Sequence, residues 1–379
     1  MSAATKLQSL SWDFPDARTG DGAHGIHPYP AKFIPQIPRN LIKLFHPGDD
    51  SAILDVFCGS GTTLVEAAEA GLPSIGIDLH PLATLIAKVK TTPLNEKLAS
   101  VATTVAAAAR TRLAAGGLAI PPIPRIDHWF KRHVQEALTA ILAELSEVNN
   151  QDAADALRVA LSSIIVRVSN QESDTRYAAV QKDIQVETVF NAFERAAHLM
   201  GTALASVGTG LFAQRPRVSI VTKDLMMIQP DEVGKDIGLA ITSPPYPNAY
   251  EYWLYHKYRM YWLGMDPIAV RQAEIGARAH YFKKNHPTEL DFEKQMQRCF
   301  WLLASVMRQR AYAFFVVGRS IIHGREIDNE AVLTRAAAAH GFQKAASIER
   351  KIALTRKSFN LAHGTINRER IVAFVLEGE

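Results

Sequence analysis

Cysteine is scarce in this chain, since only Cys58 and Cys299 occur among its 379 residues. Two cysteines exclude a disulfide framework and a cysteine zinc site. We therefore expect a reducing, cytoplasmic compartment and no metal. No stretch approaches the roughly 20 consecutive apolar residues of a membrane helix, and the polar first residues lack the apolar core of a signal peptide. The sequence predicts no association with a membrane.

A large excess of charge of either sign is missing as well. The formal net charge is +4 and the isoelectric point is about 8.9. This mildly basic balance permits a nucleic-acid partner but does not require one. The chain is 47% hydrophobic and 21% charged, as is typical of a globular protein with a sizeable core. Its length suits one large domain or two smaller ones.

The most informative stretch is 53–81, ILDVFCGSGTTLVEAAEAGLPSIGIDLHP. The apolar run 52–57 has the length and the β-branched and aromatic content of a buried parallel strand. After the turn 58–61, the spacing of apolar residues predicts a helix that ends near Gly71. A second short strand then leads to Asp78. We therefore predict a β-α-β unit with glycines at its first turn and an acid after its second strand.

This β-α-β unit has the chemistry of a nucleoside pocket. Glycines allow a ligand close to the backbone, and the helix N-terminus presents free N–H groups. Asp78 can accept hydrogen bonds from both ribose hydroxyls. The third glycine of a dinucleotide fingerprint is missing, and Asp55 inside the first strand would suit an ammonium group rather than a pyrophosphate. The pattern favours S-adenosylmethionine over NAD, with a glycine turn in an ordinary α/β domain as the alternative.

Strand and helix patterns alternate along the rest of the chain, except in one long helical block. Residues 1–23 are polar and predict a loose or partner-dependent lead-in. Four prolines within 24–39 exclude a sheet interior and, until Pro38, a helix interior, and Pro38 can lie in the first turn of a helix predicted at 39–45. The segment before this helix either lines the cofactor pocket or is a rigid linker. Residues 128–211 show helical spacing and no strand signal. Further strands are predicted at 217–222, 237–242, 311–317, 347–354 and 370–376.

These patterns predict an α/β fold: a Rossmann-like, doubly wound sheet with an antiparallel C-terminal hairpin and a helical insertion. We divide the chain into three parts. Residues 1–92 hold the N-terminal segment and the first part of a cofactor-binding core, and residues 216–379 hold the second part of that core. The helical insertion between them, 93–215, is a candidate for target recognition.

A second motif, Ser243-Pro244-Pro245-Tyr246, follows the predicted strand 237–242. In open α/β sheets, ligands bind beyond the carboxyl ends of the strands. The two prolines remove N–H donors and leave carbonyl acceptors. Ser243 adds an acceptor, and Tyr246 offers a flat face on which a base can stack. Such a site suits the exocyclic amino group of a planar base, whose nitrogen would attack a methyl group without a covalent enzyme nucleophile.

With both motifs in this order, the chain resembles the amino-group DNA methyltransferases, which make N4-methylcytosine or N6-methyladenine. The resemblance rests on Asp55-Val-Phe-Cys-Gly-Ser-Gly61, on Ser243-Pro-Pro-Tyr246 in the serine form more usual in N4-cytosine enzymes, and on His27-Pro-Tyr-Pro-Ala-Lys-Phe-Ile-Pro35. It covers about 27–81 and 218–265. The insertion between the second and third strands departs from the usual layout of the family.

The resemblance implies S-adenosylmethionine as cofactor and Ser243, Pro244, Pro245 and Tyr246 as the catalytic residues. Lys32 and Phe33 would pack around its methionine part, and Asp224 would lie near its adenine amino group. The full set expected to bind the cofactor is Lys32, Phe33, Asp55, Phe57, Gly59, Ser60, Gly61, Thr62, Asp78, Leu79 and Asp224.

Double-stranded DNA is the expected partner, and a cognate restriction endonuclease is a possible second one. The expected setting is a prokaryote or phage, with the protein associated with the nucleoid. The polar loop 167–177 and the basic run after residue 349 could contact phosphates, although the loop could also be a capped helix connection. Candidate DNA-contacting residues are Arg167, Arg176, Arg350, Lys351, Arg356 and Lys357. Adenine-N6 methylation, RNA base or guanine-N2 methylation, and a non-catalytic binding module remain alternatives to cytosine-N4 methylation.

Overall fold

A computed structural model gives the architecture of the chain. It describes residues 1–18, 20–30, 32, 34–48, 50–94, 97–174, 176–205, 207, 217–247, 251–282, 286–322, 324–352 and 368–378. The strands are β1 (Ala52–Asp55), β2 (Ser74–Asp78), β3 (Gln171–Ser173), β4 (Arg176–Ala179), β5 (Val218–Thr222), β6 (Ile237–Thr242), β7 (Met307–Gly318), β8 (Ser320–Ile322), β9 (Arg325–Ile327), β10 (Phe342–Lys351) and β11 (Arg368–Leu376).

The helices alternate with these strands. They are α1 (Ala3–Gln8), α2 (Gln36–Leu44), α3 (Thr62–Glu69), α4 (Pro81–Thr91), α5 (Leu98–Ala115), α6 (Ile126–Trp129), α7 (Arg132–Leu145), α8 (Gln151–Ile164), α9 (Val186–Leu204), α10 (Pro230–Val233), α11 (Tyr252–Trp262), α12 (Pro267–Ala273), α13 (Glu289–Val306) and α14 (Asn329–Ala338). No helix in the described ranges is long and apolar enough to cross a membrane.

Seven of the strands form one sheet in the order β10-β11-β7-β6-β1-β2-β5. The pairs β1–β2, β1–β6, β2–β5 and β6–β7 are parallel, whereas β11 runs antiparallel to both β10 and β7. The predicted doubly wound sheet with an antiparallel C-terminal hairpin is confirmed. Because the chain leaves β1 on one side and later returns as β6 on the other, the strand order reverses between them, which is where such sheets bind ligands.

Alternating side chains of the central strands supply a separate core on each face of the sheet. Ile53, Leu239 and Phe314 pack on one face with residues of α1 and α2. Their neighbours Leu54, Ala240 and Phe315 pack on the other face with residues of α13 and α14. Strands buried on both faces read as continuous apolar runs, which explains why these were visible in the sequence.

The block between β2 and β5 is largely helical, as predicted, but it also contains a small antiparallel hairpin, β3–β4. The expectation that this block lacks strands is therefore wrong at 171–179. Helices α5, α7, α8 and α9 share one apolar core with α4 and α11. The buried Arg259 of α11 reinforces this packing, because its Nε donates to the Ser162 carbonyl of α8 over 3.0 Å and its guanidinium pairs with Asp174.

The N-terminal segment is packed rather than loose, so that expectation is also wrong. Leu7 and Trp12 are buried and belong to the core on the α2 face of the sheet. The Trp12 Nε1–H donates to the Leu7 carbonyl over 2.7 Å. Arg350 of β10 is buried against the same segment and donates to the Trp12 carbonyl over 2.8 Å. A few apolar side chains spaced through a polar sequence thus dock the segment on the sheet.

Candidate active site

The carboxyl ends of β1, β2 and β6 bring the two sequence motifs to one edge of the sheet. Asp55 is the last residue of β1 and Asp78 the last of β2. Ser243 follows the last residue of β6. Since β1 pairs in parallel with both β2 and β6, all three polar residues lie at the same edge.

The turn 58–61 has the close backbone approach that its glycines predict. Gly61 has φ of +81°, and a Cβ placed on it would lie 2.8 Å from the Ala87 Cβ of α4. Gly59 has φ of +49°, and a Cβ there would lie 3.6 Å from the ring of Tyr29. Side chains at these positions would displace α4 or fill the space beside Tyr29. The following helix α3 begins at Thr62, which is buried together with Ser60.

Asp78 is half-buried and already holds the turn together. One carboxylate oxygen accepts from the Gly59 N–H and the other from the His80 N–H, each over 2.8 Å. Burial raises the pKa of Asp78 to about 6, against the effect of these two hydrogen bonds. A carboxylate has about four lone-pair sites, so two remain for a pair of hydroxyls. The neighbouring Leu79 is partly buried.

Asp55 connects the turn to the strand that carries the second motif. Its Oδ1 accepts from Thr242 Oγ1 over 2.6 Å and from the Phe57 N–H over 3.1 Å. Its Oδ2 is buried and has no hydrogen-bond partner among the described residues. Burial raises the pKa of Asp55 to about 6. An unpaired buried carboxylate oxygen fits an ammonium group, the property that favoured S-adenosylmethionine in the sequence.

Other residues expected around the cofactor lie nearby or outside the described residues. Asp224 is two residues beyond β5 and accepts from the Met226 N–H over 2.9 Å, while the Lys223 N–H donates to the Asp78 carbonyl over 3.0 Å. The Lys32 ammonium donates to the His24 carbonyl, and burial lowers its pKa to about 8. Phe33 lies outside the described residues.

The Ser243-Pro-Pro-Tyr246 turn is anchored to the neighbouring strand β7. The Ser243 hydroxyl donates to the Val316 carbonyl over 3.0 Å, and the Tyr246 hydroxyl donates to the same carbonyl over 3.3 Å. Pro244 is buried, whereas Pro245 and Tyr246 are partly exposed. Because the Ser243 O–H donates to Val316, the lone pairs of its oxygen are left to accept a hydrogen bond.

Two residues that sequence reasoning missed support this turn from the segment after α12. Glu274 accepts from the Tyr252 N–H over 2.8 Å and from the Trp253 N–H over 3.3 Å, so it caps α11. Gly276 has φ of +74°, and a Cβ on it would lie 2.5 Å from the Tyr246 carbonyl oxygen. The only signal in the sequence was a glycine shortly after a helix.

Tyr29, from the proline-rich segment, was not singled out by sequence reasoning either. Its ring stacks on His256 at 5.0 Å and on Tyr252 at 5.7 Å, as measured between ring centroids. His256 also contacts the rings of His27 and His80, and burial lowers the pKa of all three histidines, most strongly for His27 and His256. A neutral imidazole cluster thus fixes Tyr29 against the turn. No cluster of His, Cys, Asp or Glu suited to a metal ion occurs in the ranges described.

The cations expected to contact DNA are dispersed. Arg167 is exposed. Arg176 is exposed on β4 and pairs with Glu172 over 2.9 Å. Arg350 is buried and paired with Glu369 over 2.5 Å, so the prediction that it contacts DNA is wrong. Lys351 is exposed, and Arg356 and Lys357 lie outside the described residues.

A different group of cations lies on and near α11, the helix that follows the second motif in the chain. Lys257 lies 5.9 Å from the Trp253 ring centroid and 5.7 Å from that of Tyr258. Arg271 of α12 lies 4.9 Å from the Trp253 ring centroid. The pKa of Lys257 is lowered by burial, and then by the positive charges of Arg125 and Arg271. We call Arg125, Lys257 and Arg271 the α11 cationic face. None of its members pairs with a carboxylate within the described part of the chain.

Comparison with known proteins gives matches that centre on the first motif. The DNA methylase family model matches residues 3–88. The type II methyltransferase M.MvaI of Kocuria varians is 28% identical over 257 residues, 62% of this chain and 56% of the relative. The type II methyltransferase M.MjaII of Methanocaldococcus jannaschii is 56% identical over 68 residues, 18% of this chain and 12% of the relative.

The matched part of the chain therefore spans about half of M.MvaI and about an eighth of M.MjaII. Among solved structures, a TehB-like S-adenosylmethionine-dependent methyltransferase of Corynebacterium glutamicum is similar at a TM-score of 0.33 and 11% identity. This likeness covers 90% of this chain and 87% of that one, and it is too slight to support a conclusion. The family match and the two type II relatives make this chain similar to DNA methyltransferases, with the strongest similarity around the first motif.

Proposed function

We propose that this protein transfers a methyl group from S-adenosylmethionine to the exocyclic N4 of a flipped-out cytosine in DNA. The observation that carries the proposal is the Ser243 hydroxyl, which donates its hydrogen bond to the Val316 carbonyl. Its oxygen is therefore available to accept a hydrogen bond from an amino group. This acceptor lies at the sheet edge that also carries Asp55 and Asp78, so a base and a nucleoside cofactor would meet there.

The residues of the first motif fit S-adenosylmethionine. The unpaired Asp55 Oδ2 would bind the ammonium of its methionine part, and Asp78 would accept from the ribose hydroxyls. Glycines at 59 and 61 leave the turn open beside Tyr29. When bound, the cofactor supplies a methyl group on a positively charged sulfur, and every other step depends on the residues of this chain.

The second motif would prepare the base. Ser243 Oγ and a carbonyl of the Pro-Pro turn would accept the two amino N–H bonds, which draws the nitrogen towards tetrahedral geometry and frees its lone pair for attack. As positive charge develops on the nitrogen, these acceptors become stronger, which is how they would lower the barrier. After transfer, the nitrogen releases one proton to the acceptors or to solvent, and the base becomes neutral again.

A cysteine nucleophile is not required, and the two cysteines would be poor ones. Cys58 lies in the cofactor turn, but it is buried. Burial, followed by the charges of Asp78 and Asp55, raises its pKa well above the ordinary value. Burial likewise raises the pKa of Cys299. Since the thiolate is the reactive form, both residues suit a structural role, which favours amino-group over ring-carbon methylation.

Duplex DNA as substrate is supported by the family match and by the two relatives named type II methyltransferases. We propose the α11 cationic face as the surface that contacts DNA phosphates, because its cations are unpaired in the described part of the chain and lie on or near the helix that follows the second motif. The helical insertion, 93–215, shares a core with α11 and is proposed to shape target recognition. A cognate endonuclease and a nucleoid-associated location stay predictions.

Nucleoside mass spectrometry after incubation with methyl-labelled cofactor tests the proposal. Duplex DNA and total RNA are treated in parallel, with the Ser243→Ala variant as the negative control. We expect label in N4-methylcytosine of DNA only. Label solely in N6-methyladenine would move the target to adenine while keeping DNA as the substrate, and label solely in RNA would overturn the substrate class.

A further inference from the structure

Lys90 is a buried cation that the proposed reaction does not yet use. It lies near the end of α4 and is 0% exposed. Taking an ammonium group out of water is costly unless it is paired. Burial lowers the pKa of Lys90 well below its ordinary value, and the charge of Lys32 lowers it further. A structural position in a helix would be filled more stably by a leucine or methionine.

The contacts of Lys90 do not compensate for its burial. Its ammonium donates to Ser60 Oγ in the cofactor turn over 3.2 Å, and no ion pair joins it to a carboxylate in the described part of the chain. The titratable groups that face it are the cations or bases Lys32, His24 and His27. The nearby Glu66 is held by His24 at 2.9 Å and by Arg39 at 2.7 Å.

The packing of α4 directs Lys90 towards the proposed cofactor site. The absence of a side chain at Gly61 lets the turn approach Ala87, since a Cβ placed on Gly61 would lie only 2.8 Å from the Ala87 Cβ. Lys90 lies three residues further along the same helix and therefore on the same face. Its ammonium thus lies beside the turn, close to Lys32, whose own pKa burial lowers to about 8.

We propose that Lys90, together with Lys32, binds the carboxylate of the amino-acid part of the cofactor. The inference rests on S-adenosylmethionine as the cofactor. Lys90 would complete the site for the amino-acid part of the cofactor. Asp55 Oδ2 is an unpaired acceptor that suits the ammonium, and Lys90 is a donor without a charged partner that suits the carboxylate. An incoming carboxylate would give this buried amine the charged partner that it lacks among the described residues. The zwitterion of the ligand matches these two groups.

Calorimetry with two ligands isolates this contact. S-adenosylmethionine and decarboxylated S-adenosylmethionine share adenine, ribose, sulfonium and amine, and differ in the carboxylate alone. The wild type is expected to bind the first roughly tenfold to a hundredfold more tightly, as for one charge-assisted hydrogen bond. In Lys90→Met, that preference should largely disappear, while affinity for the decarboxylated ligand changes little.

Lys88→Met is the matched control on the same helix. Lys88 is paired with Asp155 over 2.7 Å, and its side chain is 44% exposed, so its loss should leave the ligand preference unchanged. Thermal unfolding without ligand should show Lys90→Met to be as stable as the wild type or more stable, because an apolar side chain replaces a buried amine.

The outcomes separate this inference from the proposed function. Lys90→Met retaining the full preference for the carboxylated ligand would overturn the role of Lys90 and leave the cofactor assignment intact. A wild type that binds both ligands equally would also reject the carboxylate contact. A wild type that binds neither ligand would reject S-adenosylmethionine itself, and this inference with it.

Discussion

Asp78 holds the protein's own backbone as well as the proposed ribose site. The sequence predicts that this carboxylate accepts from the ribose hydroxyls, and in the structure it also accepts from the N–H groups of Gly59 and His80. Replacement by alanine would leave both donors unpaired and cost stability as well as affinity. Asparagine, which keeps one acceptor oxygen, is therefore the cleaner test of ribose binding.

Asp78→Asn should weaken binding of S-adenosylmethionine roughly tenfold to a hundredfold at neutral pH, since a charged acceptor is lost. Because the pKa of Asp78 is raised to about 6, wild-type affinity should fall as pH drops below about 6. The free energy of unfolding depends on pH in the opposite direction. Because folded Asp78 binds its proton more tightly than the unfolded chain does, the protein becomes less stable as pH rises from about 4 to 6.

Calorimetry across this pH range, with the exposed Asp231→Asn as control, checks both the affinity and its pH dependence. Asp55 has a similarly raised pKa, so Asp78→Asn should reduce the pH dependence without abolishing it. Affinity that is the same in wild type and Asp78→Asn at neutral pH would remove Asp78 from the ribose site.

Substitutions of Ser243 and of Tyr246, the two polar residues of the second motif, should affect different kinetic parameters. Ser243→Ala should lower kcat with little change in DNA affinity, because Ser243 acts as charge develops on the amino nitrogen. Tyr246→Ala should weaken productive DNA binding as well, since stacking contributes roughly 1–3 kcal/mol per base. Tyr246→Phe keeps the ring and loses the hydroxyl, including its hydrogen bond to Val316, so it should resemble the wild type in base stacking. Steady-state kinetics showing equal losses in all three would contradict these roles.

At the scale of elements, the segment after α12 fixes both the helix and the turn that flank the base site. Glu274 caps α11, and burial raises the pKa of its carboxyl to about 8. Gly276 contacts the Tyr246 carbonyl where no Cβ fits. Glu274 and Gly276 position the second motif through contacts with the backbone of α11 and of Tyr246. Such supporting residues belong to no sequence motif, so the sequence did not reveal them.

Gly276→Ala should displace the second motif and lower kcat, with S-adenosylmethionine affinity nearly unchanged. Gly264→Ala is the matched control: Gly264 also has positive φ, +72°, but a Cβ there meets nothing within 4 Å. Both variants carry the cost of a left-handed residue, roughly 1–2 kcal/mol. Single-turnover rates that fall equally in the two variants would show that Gly276 contributes stability alone.

The elements predicted best from the sequence are those buried on both faces. The strand 237–242 is predicted and found with the same bounds, because a continuous apolar run has few other structures available. The hairpin β3–β4 was missed because its strands are only three and four residues long and β3 is wholly polar. The burial of Arg350 and Lys90 could not be predicted either, since it depends on which distant segment covers a charged side chain.

Across the whole molecule, the cations proposed to meet DNA are distinguished by their lack of acidic partners in the described ranges. Lys257→Gln and Arg271→Gln should each reduce the slope of log affinity against log salt by roughly 1, as expected for the loss of one phosphate contact. Arg335→Gln is the control, because Arg335 is already paired with Glu289 and Glu293. Fluorescence anisotropy with duplex DNA at several salt concentrations gives the slopes. Unchanged slopes in both variants would place the DNA surface elsewhere.

The position of the helical insertion has a consequence for how the chain folds. Strand β5 pairs with β2, although residues 79–217 separate them in sequence. Closing so long a loop is entropically unfavourable in an extended chain. Helices that pack on one another within the insertion shorten the effective distance before β5 arrives. During synthesis, the insertion would therefore be expected to collapse first, and the outer strand of the sheet to join only afterwards, with non-local pairing as the slow step.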